Sequence, residues 1–220
     1  MEKYENEMKE RIYKAAKQLF YDIGYKKTTY KQIGETVNGN SALIAYYFGT
    51  KGRLGVLVYN EYMTDIKEFV RKCFVDNQIE YDILKATAVE IRVHGVLMRE
   101  NRDLSRFYSE IMNENIIVKE DAVNDQYFRE LVACCNLKIP EYMINYLNFG
   151  EFGFRQGVCS AHEMGKIDCS YKEFTDASIE TLLLLLRQVD RIDEILKFSH
   201  EFEQKLPKIA IKKDFELAIL

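Results

Sequence analysis

The chain has 220 residues, 47% of them hydrophobic, and a formal net charge of -4 at pH 7. That much apolar material excludes a disordered chain and suffices for one or two cores, while the longest leucine run, Leu182 to Leu186, is too short to span a bilayer. The charge is uneven: residues 1 to 55 carry ten Lys or Arg against six Asp or Glu, and the remainder 21 against 29, a basic head on an acidic body.

The N-terminal stretch Met1 to Glu7 lacks the apolar run of a signal peptide, so a cytoplasmic protein with no membrane association is expected. Cysteines at 73, 134, 135, 159 and 169 show no C-x-x-C spacing and read as reduced thiols rather than a disulfide framework. Only Pro140 and Pro207 interrupt the chain, and alternating strand patterns are nearly absent before the last dozen residues, which predicts an all-α fold.

Along the chain, Met8, Ile12, Ala15, Ala16, Leu19 and Phe20 recur at spacings of three and four and make one stripe of a first helix. Gly24 stops it, and Thr29 caps a second helix whose buried face is Ile33 and Val37. Asn38-Gly39 supplies a tight turn. Asn40 or Ser41 then caps a third helix, with Ile44 and Phe48 turned to the core and Ser41, Ala42, Leu43, Ala45 and Tyr46 outward. Small outward side chains suit close approach to a DNA major groove, and the hydroxyls of Thr28, Thr29, Tyr46 and Tyr47, with Lys51, suit phosphate oxygens. No Arg or Lys lies on this third helix, so thymine-methyl contacts from Ala42, Leu43 or Ala45 and hydrogen bonds from Ser41 or Asn40 are the base contacts it offers. Periodicity alone is equally compatible with a three-helix subdomain in which Tyr46, Tyr47 and Phe48 are core.

The offsets Ile12-x-x-Ala15-Ala16-x-x-Leu19-Phe20, Gly24-Tyr25-x-x-Thr28-Thr29-x-x-x-Ile33 and Tyr46-Tyr47-Phe48-x-x-Lys51-x-x-Leu54 resemble the N-terminal signature of the tetracycline-repressor (TetR) family, over residues 8 to 60. Three positions depart from the family pattern: Gly34 stands for the usual Ala, Asn38 for the turn Gly, and Ala45 for a frequent phosphate-contacting Tyr, a role Tyr46 is placed to take. The resemblance implies a helix-turn-helix DNA-binding domain at residues 1–50 and a helical ligand-binding and dimerisation domain at 51–220. It implies a double-stranded operator, a small-molecule effector and a homodimer as partners. The DNA-contacting set is then Thr28, Thr29, Tyr30, Asn40, Ser41, Ala42, Leu43, Ala45, Tyr46, Tyr47 and Lys51.

In the body, Thr50 caps a helix carrying Leu54, Leu57, Val58, Tyr62, Ile66, Phe69, Val70 and Cys73, the natural lever between head and body. Residues 83 to 98 are apolar on two faces and read as a central helix, on which Thr87 and His94 are either satisfied in the core or turned to a cavity. Phe107, Tyr108, Ile111 and Met112 follow on a short helix capped by Asp103, then Val123, Tyr127, Phe128 and Leu131 on another. Thr87, His94, Met98, Phe107, Tyr108, Met112, Tyr127 and Phe128 are the candidate ligand pocket. After Pro140, a helix stripe contains Gly150, Gly153 and Gly157, each costing helicity about 1 kcal/mol and suggesting close approach by another helix, such as Phe174 to Val189. Met143, Tyr146, Gly150, Gly153, Phe154 and Gly157 with Ala177, Ser178, Thr181, Leu182 and Leu185 are the candidate dimer interface. An amphipathic helix over 190 to 207 and an unassigned apolar tail, 208 to 220, close the chain.

His94, His162 and His200 are too scattered for a metal set, no Gly-rich phosphate loop occurs, and Cys159 three residues before His162 is a weak nucleophile pattern. The chain therefore reads as no enzyme and as needing no cofactor or metal. The function expected is a ligand-responsive transcriptional repressor binding a palindromic operator as a homodimer. The competing expectation is a cytosolic helical small-molecule-binding or scaffold protein whose head does not bind DNA.

Overall fold

A computed structural model of the chain describes residues 2–120 and 125–220; Met1 and Val123 lie outside the described residues. The elements in order are α1 (Glu2–Ile23), α2 (Tyr30–Thr36), α3 (Ala42–Phe48), α4 (Lys51–Asp76), α5 (Ile83–Glu100), α6 (Arg102–Asn113), α7 (Ile116–Lys119), α8 (Asp125–Cys134), α9 (Glu141–Glu163), α10 (Tyr171–Leu185) and α11 (Ile192–Glu203), then β1 (Ile209–Ile211) and β2 (Leu217–Ile219). The fold is all-α as the periodicity predicts, and the unassigned tail is an antiparallel hairpin with Ala210 opposite Ala218. Among the described residues no helix is long and apolar enough to cross a membrane.

The chain divides into two compact units that are discontinuous in sequence. One holds the described residues of Met1–Thr64, Asn101–Ala122 and Ile209–Ile219; the other holds those of Asp65–Glu100 and Val123–Lys208. The unit containing the head thus extends past residue 50 into the first half of α4, and also takes in α6, α7 and the terminal hairpin. Helix α4 contributes to both units.

The first unit is built on the predicted α1 stripe. Met8, Ile12, Ala15, Ala16 and Phe20 are buried, while Leu19 is only half-buried. Phe20 lies 5.8 Å from Phe107 of α6, Phe107 lies 4.7 Å from Phe215 of the hairpin turn, and Phe215 meets Tyr21 edge-on at 5.1 Å. Asp214 and Phe215 both have left-handed backbone, φ 63° and 60°, which is strained for side-chain-bearing residues. Burial of the Phe215 ring in this aromatic row offsets that strain. Asn101, not the expected Asp103, caps α6: its side chain accepts from the Leu104 amide at 2.8 Å and donates to the Tyr21 hydroxyl and the Ile211 carbonyl, each at 3.1 Å. An extended Asn just before the helix has the geometry a cap requires, whereas Asp103 is already inside the first turn and forms an ion pair with Arg106.

The second unit centres on α5, as its two apolar faces predict. Leu84 and Ala88 pack with Phe128, Leu131 and Val132 of α8, with Ile179, Leu182 and Leu183 of α10, and with Ile195 of α11. Gly95 permits a close approach of α10 to α5, since a Cβ there would come within 2.7 Å of the Thr175 methyl. Beside it Arg92 is buried and donates to Ser199 at 2.8 Å and to Asp176 at 2.6 Å, tying three helices together. The glycines of α9 behave differently: among the described residues nothing lies within 4 Å of a Cβ built at Gly150, Gly153 or Gly157. Within the chain, the helix at Phe174 to Val189 does not cover them.

Candidate nucleic-acid interface

The second helix of the head starts on a side-chain cap, and the third on a side-chain turn just before it. Thr29 and Gln32 form a reciprocal capping box at α2, the Thr29 hydroxyl accepting from the Gln32 backbone amide and the Gln32 side-chain Oε1 accepting from the Thr29 backbone amide. Asn38 takes the left-handed conformation, φ 53°, which Asn tolerates in place of the usual Gly. Gly34 has a steric reason, because a Cβ there would stand 3.1 Å from the Ser41 amide nitrogen and crowd the entry to α3. The Asn40 side chain accepts from the Ala42 amide at 2.9 Å and begins α3.

On α3, Ile44 and Phe48 are buried, whereas Ser41, Ala42, Ala45 and Tyr46 are exposed. Leu43 and Tyr47 are half-buried, and Tyr46, 72% exposed, meets the Tyr47 ring edge-on. The helix thus presents a face of small side chains with one projecting phenol. Thr29, Tyr30, Asn40 and Thr50 are exposed beside it.

Two expected phosphate contacts are turned inward. Thr28 is 1% exposed and its hydroxyl donates to the Gly24 carbonyl at 2.7 Å, which removes it from any phosphate-facing surface. The Lys51 ammonium donates to the carbonyls of Tyr25 and Thr28, both at 2.9 Å. Burial lowers the Lys51 pKa, opposed by the charges of Glu114 and Glu110. Its amide donates to the Tyr30 hydroxyl at 2.7 Å, so Lys51 fastens the α1–α2 connection to the start of α4.

In the second unit a compact polar cluster joins α4, α5 and α8. The Tyr127 hydroxyl shares a hydrogen bond with Thr87 and donates to Glu90 at 3.4 Å, and the Lys67 ammonium stands 3.4 Å from the centre of the Tyr127 ring. Burial raises the Glu90 carboxyl above its ordinary value against the pull of Lys67, and lowers Lys67 against the pull of Glu90 and Glu130. His94, further along α5, is brought down to about 3 by burial first and by Arg155 second, so its imidazole is neutral near pH 7. Lys67 and Glu90 were absent from the expected pocket; a charged residue on a helix apolar on two faces was the available signal. Met98 is half-buried and Phe128 belongs to the core. Phe107, Tyr108 and Met112 are buried in the unit that contains the head, whereas Thr87, His94 and Tyr127 belong to the other unit.

Of the expected interface residues, Tyr146 is 72% exposed, Gly150, Gly153, Gly157 and Ala177 are exposed, and Met143, Phe154, Ser178, Thr181 and Leu185 are half-buried. Leu182 is buried in the body core. Tyr142, Phe149 and Leu184 add exposed apolar area on the same two helices. Burial pushes the Cys159 thiol up to about 11, so it is protonated near pH 7 and a poor nucleophile, and His162 packs against the Tyr171 and Phe174 rings.

Residues 12–54 match the family model described as bacterial regulatory proteins, tetR family. The fold is shared with the solved structure of RolR without ligand at a TM-score of 0.54 and 14% identity, over 85% of this chain and 95% of that one. It is shared with RolR in complex with resorcinol at a TM-score of 0.57 and 14% identity, over 94% and 99%. At such identity the likeness to RolR is one of fold, and no curated protein matches the sequence. The N-terminal helix-turn-helix is therefore a head of the kind found in the tetR family of bacterial regulatory proteins.

Proposed function

We propose that the protein is a homodimeric transcriptional repressor that holds a palindromic operator with two copies of α3 and releases it when a small, largely apolar or aromatic effector binds in the body. The observation that carries this reading is the outward face of α3, with Ser41, Ala42, Ala45 and Tyr46 exposed on a helix fixed from behind by Ile44 and Phe48. Small side chains allow close groove approach, and the Tyr46 hydroxyl is placed to donate to phosphate. Two such helices one DNA turn apart, about 34–36 Å, would read the two half-sites.

Dimerisation is supported by the open Gly150, Gly153 and Gly157 stripe of α9 and the exposed Tyr142, Tyr146, Phe149 and Leu184. An effector site is supported by the Lys67, Thr87, Glu90 and Tyr127 cluster, which gives an otherwise apolar helix layer a hydrogen-bonding end. RolR, which shares the fold, has been solved with resorcinol, making small phenols the first effectors to try. Helix α4, continuous from Lys51 to Asp76 and shared by both units, is the element through which effector binding would reach the head.

A mobility shift with the DNA upstream of the protein's own gene, repeated with resorcinol and related phenols, tests this. Retardation that the ligand reverses is expected. Retardation insensitive to every small aromatic ligand would remove the effector part, and absence of retardation the repressor part.

A further inference from the structure

Helix α4 begins with groups suited to holding an anion, and an anion from the same chain already sits on them. Thr50 caps the helix, its hydroxyl oxygen accepting from the Arg53 amide at 3.0 Å, and Thr50 and Arg53 are both exposed beside the α3 face. The positive end of a long helix, a hydroxyl and a guanidinium are what a DNA phosphate binds. Yet the Thr50 hydroxyl donates to the Glu120 carboxylate at 2.7 Å, and the Arg53 Nε lies 3.7 Å from its other oxygen.

Glu120 reaches this corner from the end of α7. Its side chain is 16% exposed, against 68% for Arg53, so the carboxylate is seated rather than loose. The seat depends on Gly52: a Cβ there would collide with the Glu120 side chain, within 2.9 Å of its Cγ. Glycine weakens the first turn of a helix relative to alanine, so its presence at this position has a specific use. Two further carboxylates of the same segment lie against the head: Glu110 accepts from the Lys26 backbone amide at 2.8 Å, and Glu114 lies 3.8 Å from the Lys26 ammonium.

We propose that Glu120 is a built-in competitor of DNA phosphate, which occupies Thr50 and Arg53 at the start of α4 and thereby restrains the head's affinity for DNA. Withdrawal of Glu120 frees the hydroxyl, releases Arg53 and removes a fixed negative charge from the phosphate path. The α6–α7 segment then sets DNA affinity electrostatically, in addition to any change in the spacing of two heads. This rests on the reading of the head as a DNA binder.

The test is fluorescence anisotropy of a labelled duplex of random sequence, titrated with wild type, Glu120→Gln and Gly52→Ala over a range of salt. Glu120→Gln keeps the side chain's size and loses its charge; Gly52→Ala displaces the carboxylate and favours the helix. Both are expected to bind about three- to tenfold tighter at low salt, and Glu120→Gln to steepen the logarithmic salt slope by about one. Equal or weaker binding by a folded Glu120→Gln protein, with wild type binding the duplex, overturns the proposal alone. Failure of wild type and both variants to bind any duplex at low salt overturns the DNA-binding reading with it. Should one variant unfold by circular dichroism, the other decides.

Discussion

The ammonium of Lys51 donates to the carbonyl oxygen of Tyr25 at 2.9 Å and lies 4.3 Å from the centre of that residue's ring. A side chain expected to meet phosphate instead closes the turn between α1 and α2. Lys51→Met leaves the Tyr25 and Thr28 carbonyls without this donor and is expected to destabilise the protein by about 1–3 kcal/mol. Thermal melting measures the loss, and the salt slope of DNA binding distinguishes the roles. An inward Lys51 leaves that slope unchanged, whereas a phosphate contact would lower it by about one.

Arg92 is the charged group most deeply committed to the body. Its side chain is 1% exposed and paired with Asp176, which is 29% exposed and also meets His200 at 3.0 Å. Arg92→Met is expected to cost about 2–4 kcal/mol, toward the low end for a broken buried pair because Asp176 keeps solvent and His200. Urea unfolding checks this, and the double change Arg92→Met with Asp176→Leu should recover part of the loss.

The open glycines of α9 make a dimer test that spares the monomer. Among the described residues nothing lies within 4 Å of a Cβ at Gly153, so the side chain of Gly153→Leu starts into open space. In a two-fold helix packing the added side chain would separate the partners. Sedimentation velocity is expected to show wild type as a dimer and Gly153→Leu shifted toward monomer, with helical circular dichroism retained.

The head was legible because its signals are local. Thr29 with Gln32, Asn38-Gly39 and the Ile44/Phe48 pair act within one turn of where they stand, and each has the geometry its residue type prescribes. Thr28 and Lys51 were misplaced because their partners are backbone carbonyls, of Gly24, Tyr25 and Thr28, which no side-chain pattern displays. Glu90 and Arg92 were overlooked because charge suggests solvent, although a helix buried on two faces leaves charged groups little solvent to reach. Phe107 and Tyr108 have the residue types of a pocket or a core, and only the aromatic row through Phe20 and Phe215 places Phe107 in the head's core. The hairpin was unreadable for a different reason: strands of three residues carry too little alternation.

His94 makes the fold acid-sensitive. In the unfolded chain it takes up a proton near 6.5, in the folded chain only near about 3. Below pH 6.5 the unfolded state therefore binds a proton that the folded state refuses, so this contribution to stability is complete above that pH and is lost as pH falls toward 3. Wild type should lose more stability between about pH 7 and about pH 5 than His94→Gln does, as read by melting temperature. Parallel pH profiles for the two would show that the imidazole is protonated as readily in the fold as outside it.

If the protein works as proposed, the small-residue face of α3 docks a duplex at two symmetric half-sites. Footprinting of the DNA upstream of the protein's own gene, with affinity followed across salt, tests it most directly. Protection of a palindrome with half-sites one helical turn apart is expected, with a loss of affinity of about 10³-fold or more between about 50 and 200 mM salt. Equal, weak affinity for every duplex with no protected palindrome would contradict it, and would leave a helical binding protein whose head no longer reads DNA.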